Sequence, residues 1–337
     1  MLKVSLAICT IYLCLSVFNC QNIQLNRAKL EEMLGDNINK PIINLSDENI
    51  ESIDKDTFKN LPNMIGLLLN NNYLTTLDDA TFIDNANLEF LYLHENKLKS
   101  VSGKIFNSLV NLEILSLYEN EINSVDKDAF KGLHNLMGIY LFDNKLTTIH
   151  QDTFRGLDEL VELYIDMNEL TKIEPTTFDD LVNLQFLDLS ANKLASIDPA
   201  LFRSLTKLEY LDMHSNAITA LDVNTFKGLI YLESLRIWNN KINIINPDLF
   251  KELSSLVELF IFDNEIVNLS ANTFSNLAYL KELRIANNKI VSVDRLIFVG
   301  LTQLEEVYMA GNPISILQPN YVSNLCSTNA KCKIFYN

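Results

Sequence analysis

The chain has 337 residues, 48% of them hydrophobic, and its 27 Lys and Arg against 43 Asp and Glu give a formal charge of −16. That apolar content supports a buried core and excludes global disorder, and 9 Gly with 7 Pro exclude a collagen-like chain. The acidic balance argues against a nucleic-acid or heparin footprint, which needs clustered Lys and Arg.

At the N-terminus, Lys3 precedes an apolar run from Val4 to Phe18 broken only by small or polar residues. One cation before a short apolar stretch is the pattern of a signal peptide over residues 1–20, too short to span a bilayer comfortably. The competing reading is a buried strand or helix of a first domain. Small residues allow cleavage after Ser16 or after Cys20. No later segment approaches 18 uninterrupted apolar residues, and the end, Cys332 to Asn337, lacks the tail of a lipid-anchor signal. The expectation is a secreted, extracellular chain with no membrane span. Lys3 is the only charge lost with residues 1–20, leaving about −17.

Of the five cysteines, Cys9 and Cys14 fall in the signal, while Cys326 and Cys332 lie six apart near the C-terminus. In an oxidising compartment the latter two are expected to close a small loop. Cys20 is either removed with the signal or retained as an odd thiol able to make a disulfide-linked partner. The triplets Asn44-Leu-Ser46 and Asn268-Leu-Ser270 are glycosylation sequons, with Asn44 and Asn268 as acceptors. Residues 21–42 read as an N-terminal cap. Within it Asn26 to Gly35 predicts a short helix, with Asn26 as N-cap, Gly35 as stop, and Leu30, Met33 and Leu34 on the covering side.

Beyond residue 42 the chain is periodic. Asparagine recurs at Asn72, Asn96, Asn120, Asn144, Asn168, Asn192, Asn216, Asn240, Asn264, Asn288 and Asn312, each 24 residues after the last. Phenylalanine keeps the same step from Phe58 and Phe82 through Phe178 to Phe298. One unit contains Leu184, Leu187, Leu189, Asn192, Leu194, Ile197, Phe202 and Leu205, the pattern L-x-x-L-x-L-x-x-N-x-L followed by Phe and Leu. An earlier unit keeps Ile43, Leu45 and Ile50 but has Glu48 in place of the asparagine.

This pattern resembles the leucine-rich repeat family in its 24-residue extracellular subtype, similar to insect-type secreted members and Toll-like receptor ectodomains. The resemblance implies an α/β-type solenoid over residues 43–317: a horseshoe of about 12 repeats with a parallel β-sheet on its concave face. Residues 318–337 are then a short C-terminal cap with one disulfide. Family caps usually carry more cysteines at both ends than this chain does.

Each column has a physical task. The period-two alternation of Leu187-Asp-Leu189 turns the leucines inward and Asp188 outward. A buried Asn supplies donors and an acceptor to backbone groups left unpaired where the chain turns. The rings of the Phe column fill the far side, and neighbouring repeats bury each other's faces.

On the concave face the outward positions lie four and two residues before each Asn. Their aromatic and Arg residues fall into two groups: Tyr92, Tyr118, Tyr140, Phe142 and Tyr164, then Arg236, Trp238, Phe260, Phe262 and Arg284. Asp188, Ser190 and Asp212 form a polar gap between them. Aromatics and Arg dominate interface hot spots, so these ten residues are the candidate protein-binding set. The bland alternative is that they only pack strand against strand.

No catalytic constellation is present. G-x-S-x-G, P-loop and H-E-x-x-H motifs are missing. His94 and His214 sit five turns apart, roughly 24 Å at the strand spacing, too far to share a metal. Stacked Glu258, Glu282 and Glu306 read as a solvated face. The sequence therefore predicts a non-catalytic binding protein without cofactor or metal, whose partner is a protein ligand or receptor rather than nucleic acid. Family resemblance implies soluble immune recognition or modulation of a cell-surface receptor. Alternatives are an extracellular-matrix or adhesive role, or inhibition of a secreted enzyme.

Overall fold

The computed structural model describes residues 22–314, 318–326, 329 and 331–336. The expected signal peptide and Cys9, Cys14 and Cys20 lie outside them. Thirteen short strands form one wholly parallel sheet, beginning at Ile42–Asn44 and ending at Lys333–Phe335. Between these ends the strands recur every 24 residues, from Gly66–Leu68 to Glu306–Tyr308. The sheet holds a single register. Leu163 pairs with Leu187, Leu187 with Leu211, and Leu211 with Leu235, each fully buried on the inner side. This is the solenoid predicted from the repeat.

The asparagine column explains why the register does not drift. Asn192 Nδ2 donates to Leu189 O (3.2 Å) in its own turn and to Ile165 O (3.0 Å) in the turn before. Its Oδ1 accepts from Leu170 N at 2.9 Å, again in the turn before. The same set recurs at Asn96, Asn144, Asn240 and Asn288. Every inter-turn bond of these asparagine side chains thus points toward the N-terminus. Glu48 stands in the first turn, which has no repeat turn behind it, so the position needs no amide. Asn72 serves that turn from the next one, accepting from Ile50 N at 2.8 Å and Glu48 N at 3.2 Å.

Immediately before each asparagine the backbone turns left-handed. Glu95, Met167 and Ala191 have φ of 54°, 51° and 49°. On the far side the arc consists of hydrogen-bonded turns, such as Thr177 N to Glu174 O at 3.0 Å. Phe58, Phe82 and each successor to Phe274 are buried there, with neighbouring rings 6.0–6.5 Å apart where they meet. The residue before each Phe is also buried. At Thr81, Thr153, Thr177 and Thr225 the hydroxyl finds no hydrogen-bond partner, whereas Thr57 donates to Leu25 O and Thr273 bonds with Ser270. A second, exposed ladder escaped the sequence reading: Nδ2 of Asn87, Asn111, Asn135 and Asn183 each donates to a carbonyl 25 residues earlier.

Both ends of the core are covered. Ile23–Leu25 pairs parallel with Ile50–Ile53, and the helix Arg27–Leu34 follows, with Asn26 Oδ1 accepting from Lys29 N at 3.0 Å. Leu25 and Leu30 are fully buried against the first turn. At the other end come the helix Pro319–Ser323 and the Cys326–Cys332 disulfide. Asn329 Nδ2 then donates to Leu301 O and Leu304 O. The C-terminal segment does more than cap: Lys333–Phe335 joins the sheet as its last strand, Ile334 pairing with Val307.

Two stability predictions follow. Asn192→Ala leaves the buried Leu170 N–H without its acceptor and three carbonyls with one bond fewer each, and should cost about 3 kcal/mol, whereas Glu48→Ala should cost less than about 0.5 kcal/mol. Thr177→Val keeps the shape, removes an unpartnered hydroxyl, and should stabilise by about 1 kcal/mol. Urea denaturation of the three variants measures each value.

Candidate binding face on the concave sheet

All ten candidate residues lie on the outward face of the sheet and all are half-buried. The cause is the strand spacing. Side chains in one column stand about 4.8 Å apart, close to ring-stacking distance, so aromatics in successive turns lie flat on each other instead of projecting.

The structure regroups them by column. Two positions before the asparagines, His94 stacks on Tyr118 (4.2 Å between centroids) and Tyr118 on Phe142 (4.4 Å). Five turns later the arrangement repeats: His214 on Trp238 (4.0 Å) and Trp238 on Phe262 (5.0 Å). Four positions before the asparagines, Tyr140 and Tyr164 stack at 5.4 Å. Tyr92 stands apart from that pair because Ser116 separates them, and it touches His94 and Phe90 instead. In the later turns the guanidinium of Arg236 lies over Phe260, and that of Arg284 lies between Phe260 and Tyr308. Tyr308 in turn stacks on Phe335 of the last strand at 4.6 Å.

The sequence-derived set thus missed His94, His214, Tyr210, Tyr308 and Phe335. The two histidines and Tyr308 occupy the same columns as the chosen residues, so adjacency in successive turns was the available signal. Phe335 lies outside the 24-residue period and carried none.

Between the stacks lies an acidic stretch, Asp166, Asp188 and Asp212, on consecutive strands or just after them. Asp212 is buried and well held: Oδ2 accepts from Tyr210 OH at 3.0 Å, and Oδ1 accepts from His214 N at 2.9 Å and lies 2.7 Å from His214 Nδ1. Arg236 Nη1 donates to the same Tyr210 hydroxyl at 3.0 Å. Asp188 Oδ1 accepts from Ser190 N at 2.8 Å. Burial first, and the nearby Asp212 charge, push the Asp188 carboxyl above its ordinary range. Asp166 differs: Oδ1 is sealed from water with no hydrogen-bond partner. Burial, then the charge of Asp188, push its pKa up to about 7. Asp212 raises it further and His214 opposes. In the first stack, burial lowers the pKa of His94 against the opposing charge of Glu95, and its Nδ1 lies 2.9 Å from Ser116 Oγ.

Both sequon asparagines are exposed, with the leucine that follows each buried. Asn44 is exposed on the first strand of the sheet, and Asn268 is exposed in the two-stranded pair Asn268–Leu269 with Ser292–Val293 on the flank. Among the described residues no group of three or more His, Cys, Asp or Glu side chains is arranged to hold a metal ion. No helix among them is long and apolar enough to cross a membrane.

Asp166 generates a pH prediction. Its folded pKa lies above the ordinary 3.8, so between about 4 and 7 the folded state holds a proton that the unfolded state releases. The charged carboxylate costs stability in full above about pH 7 and not at all below about pH 4. Asp166→Asn should therefore stabilise by about 1–2 kcal/mol at pH 8, with the gain vanishing toward pH 4. Thermal melts of both proteins across that range test the sign.

The sequence matches the family model described as leucine rich repeat over residues 42–98, 86–146, 110–170, 134–194, 158–218, 213–266 and 258–314. A search of curated proteins finds no match. Several solved structures are similar. A leucine-rich repeat protein of Leptospira interrogans superposes with a TM-score of 0.78 at 26% identity, over 90% of this chain and 74% of that one. A chain of the glycosylated Drosophila Toll–Spatzle complex gives 0.74 at 19% identity, over 93% of this chain but 46% of that one. A chain of the octameric complex of Latrophilin 3, Unc5D and the FLRT2 leucine-rich repeat gives 0.73 at 23% identity, over 88% and 90%. With the periodic columns and the parallel sheet, these matches show that the chain belongs to the leucine-rich repeat family.

Proposed function

We propose that this protein is a secreted, non-catalytic binding protein that recognises a protein ligand or receptor through the concave face, in soluble immune recognition or modulation of a cell-surface receptor. The observation that carries the reading is the pair of stacks, His94–Tyr118–Phe142 and His214–Trp238–Phe262. Each offers a flat aromatic surface pre-ordered by its own packing, so little side-chain entropy is lost when a partner lands on it. The Arg236–Phe260–Arg284 ladder extends the second stack with the residue types that anchor interfaces. Secretion is supported by the signal-like residues 1–20 and by the Cys326–Cys332 disulfide, which suits an oxidising compartment. The similarity to Toll, solved with Spatzle, supports the immune setting. A glycan on Asn268 would stand on the flank, whereas one on Asn44 would stand on the concave sheet two strands before Tyr92. Retention of Cys20 would add a covalent route to a partner.

The test is affinity for a partner recovered by cross-linking from the fluid into which the protein is secreted. Trp238→Ala and Phe262→Ala should each weaken binding by about 2 kcal/mol, roughly 30-fold, with circular dichroism unchanged. Full affinity in both variants would remove the second stack from the binding face.

A further inference from the structure

We infer that the partner segment is basic at its centre and apolar at its flanks, its Arg or Lys side chains seated at Asp166 and Asp188 and its apolar groups on the two aromatic stacks. This rests on the concave-face reading and adds the chemistry of the ligand. Charge complementarity carries it. The outward strand positions of the repeats bear Glu162, Asp166, Asp188, Asp212, Glu258, Glu282 and Glu306 against Arg236 and Arg284. Both cations are already engaged: Arg236 lies 3.6 Å from Glu258, and Arg284 Nε donates to Glu282 at 2.5 Å. Glu95 and Glu119 lie close enough to Tyr118 of the first stack for their charges to add to the rise in its pKa. The face therefore presents net negative charge to whatever covers it, and a second copy of the same face would be repelled.

The acids are unequal in a way that selects the seat. Asp212 is occupied by Tyr210 and His214, and Glu162 accepts the Tyr140 hydroxyl at 2.5 Å. Among the described residues Asp166 and Asp188 form no ion pair with Lys or Arg, and both side chains stay partly exposed on the concave face, where a partner's cation can reach them. A guanidinium or ammonium arriving there gains a charge-assisted bond at a site already largely desolvated. Three strand steps separate Phe142 from His214, about 14 Å. An extended chain crossing the strands covers that gap in about four residues, so two basic residues within a short span bridge the stacks. The elevated pKa of Asp166 adds a consequence: a cation there expels its proton, so binding weakens as pH falls from 8 to 6.

Trp238 is the only tryptophan in the chain and sits in the second stack, so its fluorescence reports occupancy. The probes are a synthetic peptide with a central Arg-Gly-Arg between Leu-rich flanks and the same peptide with Gln for Arg, titrated into the full-length secreted protein. The Arg peptide should shift Trp238 emission saturably, bind at least about tenfold tighter than the Gln peptide, and lose affinity with added salt. The double variant Asp166→Asn, Asp188→Asn should abolish that preference while Trp238 emission of the free protein stays as in the parent. Equal binding of both peptides overturns the inference but leaves the concave face as a binding surface. Binding of neither, or an Arg preference that survives in the double variant, also overturns it. The concave-face reading is judged separately, by the Trp238→Ala and Phe262→Ala affinities.

Discussion

The amide of each column asparagine bonds within its own turn and backward to the turn before it, and the rest of the structure depends on that arrangement. Oδ1 holds a backbone N–H 22 residues earlier, and Nδ2 holds a carbonyl 27 residues earlier. Neither bond survives a change in the length of the intervening arc, because a buried amide has no water to fall back on. The period of 24 is therefore kept from Asn72 to Asn312. Direction also explains the first turn, where Glu48 replaces the asparagine at no cost to the ladder.

A fixed period has consequences on the opposite face of the strands. Because every turn stands in one register, any residue type repeated in consecutive turns becomes a continuous stack. Aromatics at the outward positions form ordered slabs, Arg between aromatics forms a cation–π ladder, and Asp166 and Asp188 form a pair of acids with raised pKa. The same geometry that satisfies the core thus composes the binding surface, and the chain carries its chemistry as columns rather than as a cleft. The acidic centre flanked by aromatic slabs is a property of this chain's columns, not of the repeat itself.

Much of this was legible in the sequence for a physical reason: the constraint acts at fixed spacing, and spacing is what a sequence displays. Asn192, Phe202 and Leu187 announce their roles because each recurs in turn after turn. The concave columns follow from the same count, but the stacking that half-buries their aromatics depends on neighbours one turn away. Features outside the period were not readable. Lys333–Phe335 returns to the sheet 27 residues after its neighbour, and the left-handed turn at Glu95, Met167 or Ala191 uses residue types that give no sign of it. The raised pKa of Asp166 comes from its burial and from the charge of Asp188 in the next turn, which no single repeat displays.

The most direct test of the asparagine ladder as the governing constraint is native-state hydrogen exchange at the amides it holds: Leu170, Leu194, Ile218 and Ile242. These residues lie outside the strands, so only the next turn's asparagine protects them. The account predicts exchange as slow as at the strand residues Leu163, Leu187 and Leu211. Exchange at the rate of exposed turn amides would contradict it.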